Sequence, residues 1–121
     1  MKNKPTVVIG ASTNPDRYAY KAIKRLLEKG QTVYAEGLKE GSVEHVLISK
    51  DRLKYDDIDT VTLYVGPKNQ PNWYDYILSL KPKRIVFNPG TENDELVELA
   101  HKNNIETVEA CTLVMLSIGN Y

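Results

Sequence analysis

Residues 9–16 read Ile-Gly-Ala-Ser-Thr-Asn-Pro-Asp: a glycine closes an apolar run, small polar residues follow, and a helix-like stretch comes next. A turn of this kind after a strand can aim free backbone N–H groups at an anion, and the positive end of the helix adds to their pull. Ser12, Thr13 and Asn14 can supply side-chain hydrogen bonds, so phosphate is the ligand class that suits the segment. Only one of the three glycines of a G-x-G-x-x-G fingerprint is present. The competing reading is structural: Asn14 caps the helix and Gly10 merely permits a tight turn. Three other segments also follow apolar runs, namely 36–41 (EGLKEG), 64–70 (YVGPKNQ) and 88–93 (NPGTEN). Gly-Pro and Asn-Pro-Gly fix the backbone and leave carbonyls and amides to line a cleft with flat walls for a group such as adenine. Ordinary turn punctuation is the alternative there too.

No reaction centre stands out, and no catalytic residue or metal site is assigned. His45 and His101 fall far apart in the pattern without metal-ligand spacing, and both read as surface histidines. Cys111 precedes an apolar helix whose N-terminus could lower its pKa, but with no histidine nearby a small buried core residue is the favoured reading. Glu92, Asp94 and Glu95 look like acids at a helix start, not an acid/base pair.

The elements that would position these loops alternate along the chain. Apolar runs at 6–10, 31–37, 59–66, 84–88 and 105–110 read as strands, with 45–49 as a weak edge strand. Ala19, Ala22, Ile23, Leu26 and Leu27 form one helical stripe, and Gly30 suits the left-handed position that ends such a helix. A second helix is expected from Asn69-Gln70-Pro71, with Trp73, Tyr76, Ile77 and Leu80 on one face. A third is capped by Thr91 or Asn93, and a short apolar helix over 112–119 closes the core. Strands separated by helices of about 10 to 14 residues imply right-handed crossovers and a mostly parallel sheet. In order of occurrence the strands should lie 3-2-1-4-5, with a possible sixth. Ligands of such sheets bind beyond the carboxyl ends of the strands, at the switch point beside strand 1.

Composition is consistent with this. The 121 residues suit a single domain, and 16 basic residues balance 16 acidic ones, so no overall field favours nucleic acid or an anionic membrane. One cysteine excludes an internal disulfide and a cysteine-based metal cage. No apolar run approaches a membrane span and no signal peptide is expected, which points to a cytoplasmic protein.

The segments VVIGASTNPDRYAYKAIKRLLEKG, TVTLYVGPKNQPNWYDYILSLKPKRIVFNPGTEN and VEACTLVML resemble the small stand-alone CoA-binding proteins. These share a Rossmann-like fold with the N-terminal domain of the succinyl-CoA synthetase α-subunit. The resemblance covers nearly the whole chain apart from about 36–55. It implies an α/β, three-layer Rossmann-like fold with a mostly parallel five- or six-stranded sheet, and one CoA-binding domain over residues 1–121. The implied ligand is coenzyme A or an acyl-CoA. Gly10, Ala11, Ser12 and Asn14 would cradle the phosphates, while Tyr64, Val65 and Pro67 would wall the adenine or pantetheine. Asn88, Pro89, Gly90 and Thr91 would line the thiol end. Lys39 is the nearest match to a lysine that serves the nucleotide end in the ligase domain. The phosphate-carrying histidine of the synthetase belongs to a second domain, so the resemblance implies binding without ligase activity; it names no protein partner.

Glu36 points the other way. It ends strand 2, where dinucleotide-binding domains place an acid for the ribose hydroxyl, and a carboxylate there would repel the 3′-phosphate of CoA. If Glu36 faces the cleft, an NAD(P)-type dinucleotide gains ground; if it faces away, the objection disappears. An interaction module with a vestigial cleft is the third reading.

Overall fold

The structure is a computed structural model and describes all 121 residues. The β-branched run at the start of the chain forms β1 (Thr6–Ile9), and Val7, Val8 and Ile9 are wholly inaccessible. A strand apolar on both faces is stable only between two covered layers. It pairs in parallel with β2 (Val33–Glu36) on one side and β5 (Thr60–Leu63) on the other, so that Thr6 lies beside Val33 and Thr60.

Seven strands make one sheet in the order β3-β4-β2-β1-β5-β6-β7, with β3 Gly41–Val43, β4 Val46–Ser49, β6 Arg84–Phe87 and β7 Glu106–Glu109. Every neighbouring pair is parallel except β3–β4. The Rossmann-like α/β fold expected from the sequence is therefore present, with the expected strand order and one additional strand. β3 was absent from the sequence reading because three residues are too few to show an alternation.

Helix α1 (Tyr18–Glu28) buries Ala19, Ala22, Ile23 and Leu26 against one face of the sheet. It ends as expected: Gly30 takes φ +75°, and Gln31 N–H returns to the Leu26 carbonyl. On the same face α4 (Thr112–Ser117) contributes Met115 and Leu116 to the core, as the closing helix should. On the other face α2 (Tyr74–Ser79) and α3 (Asp94–Lys102) cover Ile9, Val61, Leu63, Ile85 and Phe87 with Ile77, Leu96 and Ala100. Asn93, not Thr91, caps α3, accepting from Glu95 N–H at 3.1 Å. No helix is long and apolar enough to cross a membrane.

Three expectations need correction. The second helix does not start at Asn69. Two 3₁₀ turns, Pro67–Asn69 and Pro71–Trp73, precede it, because each proline starts a turn and removes the N–H that would continue an α-helix from the turn before. The crossovers are not all helical: β2 reaches β4 through β3, and β4 reaches β5 through an extended strap over 50–59. Cys111 is half-buried, not a core residue, because it sits in extended conformation as the N-cap of α4.

Two glycines let the chain after β2 lie directly on the chain after β1. A Cβ on Gly37 would stand 2.6 Å from the Ala11 carbonyl oxygen, and one on Gly41 would stand 2.6 Å from Thr13 Cγ2. A carbonyl oxygen of the backbone cannot swing aside as a side chain can. Gly37→Ala should therefore cost about 1–3 kcal/mol by overpacking, measured by urea unfolding against the parent protein. An unchanged midpoint would show that the two loops separate freely.

Candidate functional site

Because β1, β2, β4, β5 and β6 run parallel, the loops after them emerge at one edge of the sheet. The first of these loops is tightly built. Gly10 has φ +91°, and a Cβ there would lie 2.9 Å from the backbone carbon and oxygen of Tyr64, so only glycine fits. Gly10 and Ala11 both donate their N–H groups to the Glu36 carbonyl, at 2.9 and 3.0 Å. Those two amides are spent inside the protein. The N–H groups of Ser12 and Thr13 have no acceptor in the chain. Ser12 Oγ accepts from Asn14 N–H at 3.0 Å, and Asn14 Oδ1 accepts from Asp16 N–H at 3.0 Å. Asn14 thus shapes the turn ahead of α1 and does not cap the helix, whose N-cap is Arg17.

Glu36 is fully buried, and its carboxylate turns to the strap over 50–59. Oε1 accepts from Arg52 N–H at 2.8 Å, and Oε2 accepts from Leu53 N–H at 3.1 Å and from the Tyr55 hydroxyl at 2.7 Å. Three donors compensate a charge that would otherwise be costly to bury. The strap is held at other points as well. Tyr55 stacks on Tyr34 with centroids 4.4 Å apart, and the Tyr76 hydroxyl donates to the Leu53 carbonyl at 2.6 Å. Arg52, in a left-handed conformation at φ 54°, donates from Nη1 to the Asn72 carbonyl and lays its guanidinium 4.0 Å from the Trp73 ring centroid.

The loops after β5 and β6 are joined by Gln70, a residue the sequence reading did not single out. Its side chain is wholly buried; Nε2 donates to the Val65 carbonyl at 2.9 Å and the Thr91 carbonyl at 2.7 Å, while Oε1 accepts from Asn93 Nδ2 at 2.9 Å. A glutamine between two prolines carries no signal that separates this role from an exposed one. Asn88 also turns inward. It donates to Thr62 Oγ1 at 2.7 Å and to the Leu63 carbonyl at 2.8 Å, and it accepts from Thr112 N–H at 2.9 Å. Thr91 is buried, with Oγ1 donating to the Asn88 carbonyl at 2.8 Å.

Of the residues singled out, Ser12, Asn14, Lys39, Val65, Pro67, Pro89 and Gly90 reach the surface at this edge, whereas Ala11, Asn88 and Thr91 lie beneath it. Gly90, at φ +91°, donates its N–H to Glu92 at 2.8 Å. The Tyr64 ring leans on the core beneath α1 and α4, and its enclosed hydroxyl has no hydrogen-bond partner. Burial pushes that phenol up from the usual tyrosine value. His45 and His101 are exposed, and no three His, Cys, Asp or Glu side chains gather as a metal site.

Two expectations follow for the strap. Glu36→Ala leaves two backbone N–H groups and one phenol without an acceptor, which should cost about 3 kcal/mol or more in urea unfolding. Glu36→Gln, which keeps an oxygen, should recover part of the loss. The second concerns pH. Burial, then the hydrogen bond to Glu36, raises the Tyr55 phenol above its ordinary value, and burial likewise raises Tyr76. A raised folded pKa means stability that is complete below the unfolded value of about 10 and falls as pH rises above it. The loss of stability between about pH 8 and about pH 11 should therefore be smaller in Tyr55→Phe than in the parent.

Comparison with known proteins agrees with this architecture. The CoA binding domain family matches residues 4–117. A crystal structure described only as an uncharacterized protein is 49% identical over all of both chains, with a TM-score of 0.97. A hypothetical protein from Pyrococcus horikoshii OT3 is 27% identical over 97% of this chain and 84% of its own, with a TM-score of 0.87. The dinucleotide forming acetyl-coenzyme A synthetase 1 of Ca. Korarchaeum cryptofilum shares the fold at 19% identity and a TM-score of 0.74, over 88% of this chain and 25% of its own. No curated protein sequence matches. The glycine turn packed on the chain after β5, the Pro-Gly loop after β6 and the match over 4–117 together make this chain a member of the CoA binding domain family.

Proposed function

We propose that residues 1–121 act as one domain that binds coenzyme A or an acyl-CoA across the carboxyl edge of the sheet and carries out no reaction of its own. The observation that carries the reading is the pair of unspent amides at Ser12 and Thr13, in a turn directed at the start of α1, in a chain of the CoA binding domain family. Backbone N–H groups at such a place suit a diphosphate. The Ser12 hydroxyl and the Asn14 amide nitrogen are free to donate beside them. Gly10 and Ala11 serve the same site by bonding to Glu36, which fixes the turn's shape.

Val65, Pro67, Pro89 and Gly90 wall the remainder of the ligand, and Lys39 offers a cation at the nucleotide end. Asn88, Thr91 and Tyr64 support these walls from below. The dinucleotide reading loses its motive, because the Glu36 carboxylate is buried and its oxygens are occupied by the strap. No reacting group is assigned: both histidines are exposed, and Cys111 stands alone.

Calorimetry with CoA and acetyl-CoA at millimolar concentration tests the proposal, and the absence of heat from either overturns it. At 100 times its Kd the bound ligand should stabilise the fold by about 2.7 kcal/mol, seen as a rise in Tm. Ser12→Glu sets a carboxylate against the phosphates and should abolish binding. Unchanged affinity in that variant would place the phosphates elsewhere, and tighter binding of NAD than of CoA would restore the dinucleotide reading.

A further inference from the structure

The strap over 50–59 leaves the carboxyl end of β4, on the same edge as the turn after β1. Of its three cations, Lys50, Arg52 and Lys54, none of which is in an ion pair, Arg52 is the one held in place. The ion pairs of the protein are Lys24–Glu44, Arg25–Glu28 and Arg84–Asp59; Arg52 has no carboxylate partner. Its position is nonetheless fixed from three sides. Its N–H is held by Glu36, its guanidinium lies on the buried Trp73 ring, and Nη1 donates to the Asn72 carbonyl. Of the five N–H donors of a guanidinium, one is bonded within the protein, and the residue is exposed. A long side chain normally loses entropy when it grips an anion, and here much of that loss is already incurred in the free protein.

The location matters as much as the preparation. In dinucleotide-binding sheets of this kind the ribose nearest the adenine lies at the end of β2, where an acid selects a free 2′-hydroxyl and an arginine accommodates a 2′-phosphate. Coenzyme A carries its phosphate on the adjacent 3′ position of the same ribose. The acid at that place, Glu36, is withdrawn by the same bonds that set Arg52.

We propose that Arg52 is the specificity-determining cation for the ribose phosphate of the ligand, so that the protein discriminates a nucleotide phosphorylated on its adenosine ribose from one that is not. The proposal rests on the CoA-binding reading and adds to it a residue from the segment that resembles the family least. The competing role for Arg52 is that of a clamp between the strap and the turn at Pro71–Trp73. A clamp acts on all ligands alike, whereas a phosphate ligand acts on one.

The test compares CoA with 3′-dephospho-CoA by calorimetry on the parent, Arg52→Gln and Arg52→Lys. The parent should prefer CoA by about tenfold or more, as a charge-assisted contact provides. Arg52→Gln should lose that preference by binding CoA more weakly while its affinity for 3′-dephospho-CoA stays the same. Arg52→Lys, which keeps the charge and loses the planar fork, should retain part of it. An equal loss for both ligands, or a preference that survives in Arg52→Gln, overturns the proposal and leaves CoA binding intact. If the parent binds neither ligand, the underlying reading fails, and this inference with it. A thermal melt of Arg52→Gln without ligand accompanies the comparison. A fall in Tm with an unchanged ligand preference assigns Arg52 to the clamp.

Discussion

The architecture of the sheet's carboxyl edge depends on how one residue satisfies its polar atoms. Glu36 ends β2 with no exposed surface, so both its carbonyl and its carboxylate must find donors within the protein. The carbonyl takes the N–H groups of Gly10 and Ala11, which sets the turn after β1. The carboxylate takes two N–H groups and a phenol from the strap, which brings residues 52–55 under the sheet. Two segments far apart in sequence are thus placed by neighbouring atoms of one side chain and its backbone. A buried charge with too few partners is costly, so the arrangement tolerates little variation in any of the five donors.

The other walls follow the same principle with neutral groups. Gln70 spans the loops after β5 and β6, and Asn88 ties the end of β6 to β5 and to the start of α4. Thr62 and Thr112 complete that second cluster with a mutual bond at 2.8 Å. These side chains lie just beneath the edge and hold the exposed Pro89 and Gly90 above them. Polar residues at this edge therefore divide into those that form its surface and those that keep the surface in shape. Their number at this edge reflects the cost of turning a backbone sharply at the end of a buried strand.

This division also explains what the sequence made legible. The strands β1, β5 and β6 are short runs rich in β-branched and apolar residues and are buried on both faces, so their place in the middle of a covered parallel sheet could be read directly. The stripe of α1 and its Gly30 terminus, the acids at the start of α3 and the four post-strand loops were equally visible. Direction was not. The family resemblance puts Asn88 and Thr91 at the thiol end of the ligand, yet their side chains point inward. Gln70 was overlooked because a buried and an exposed glutamine look the same in sequence. The segment 50–59 carries neither helical nor strand periodicity, and its conformation is set by tertiary partners: Glu36, Tyr34, Trp73 and Tyr76.

Substituting that strap for a crossover helix has a chemical consequence. A helix after β4 would cover the sheet with apolar side chains and leave the polar end of β2 to face outward. An extended chain presents its own N–H groups, and these can solvate a carboxylate from below. At this end of the edge the acid is internal and the guanidinium of Arg52 is external, supported by an aromatic face that keeps it extended. The strap sets Lys50, Arg52 and Lys54 against four aspartates in a protein whose formal charges balance at 16 against 16, and of these groups Arg52 is the one seated on an aromatic face. Net charge describes the average over the surface, whereas selection among nucleotides is made by which charges the fold lets a ligand meet.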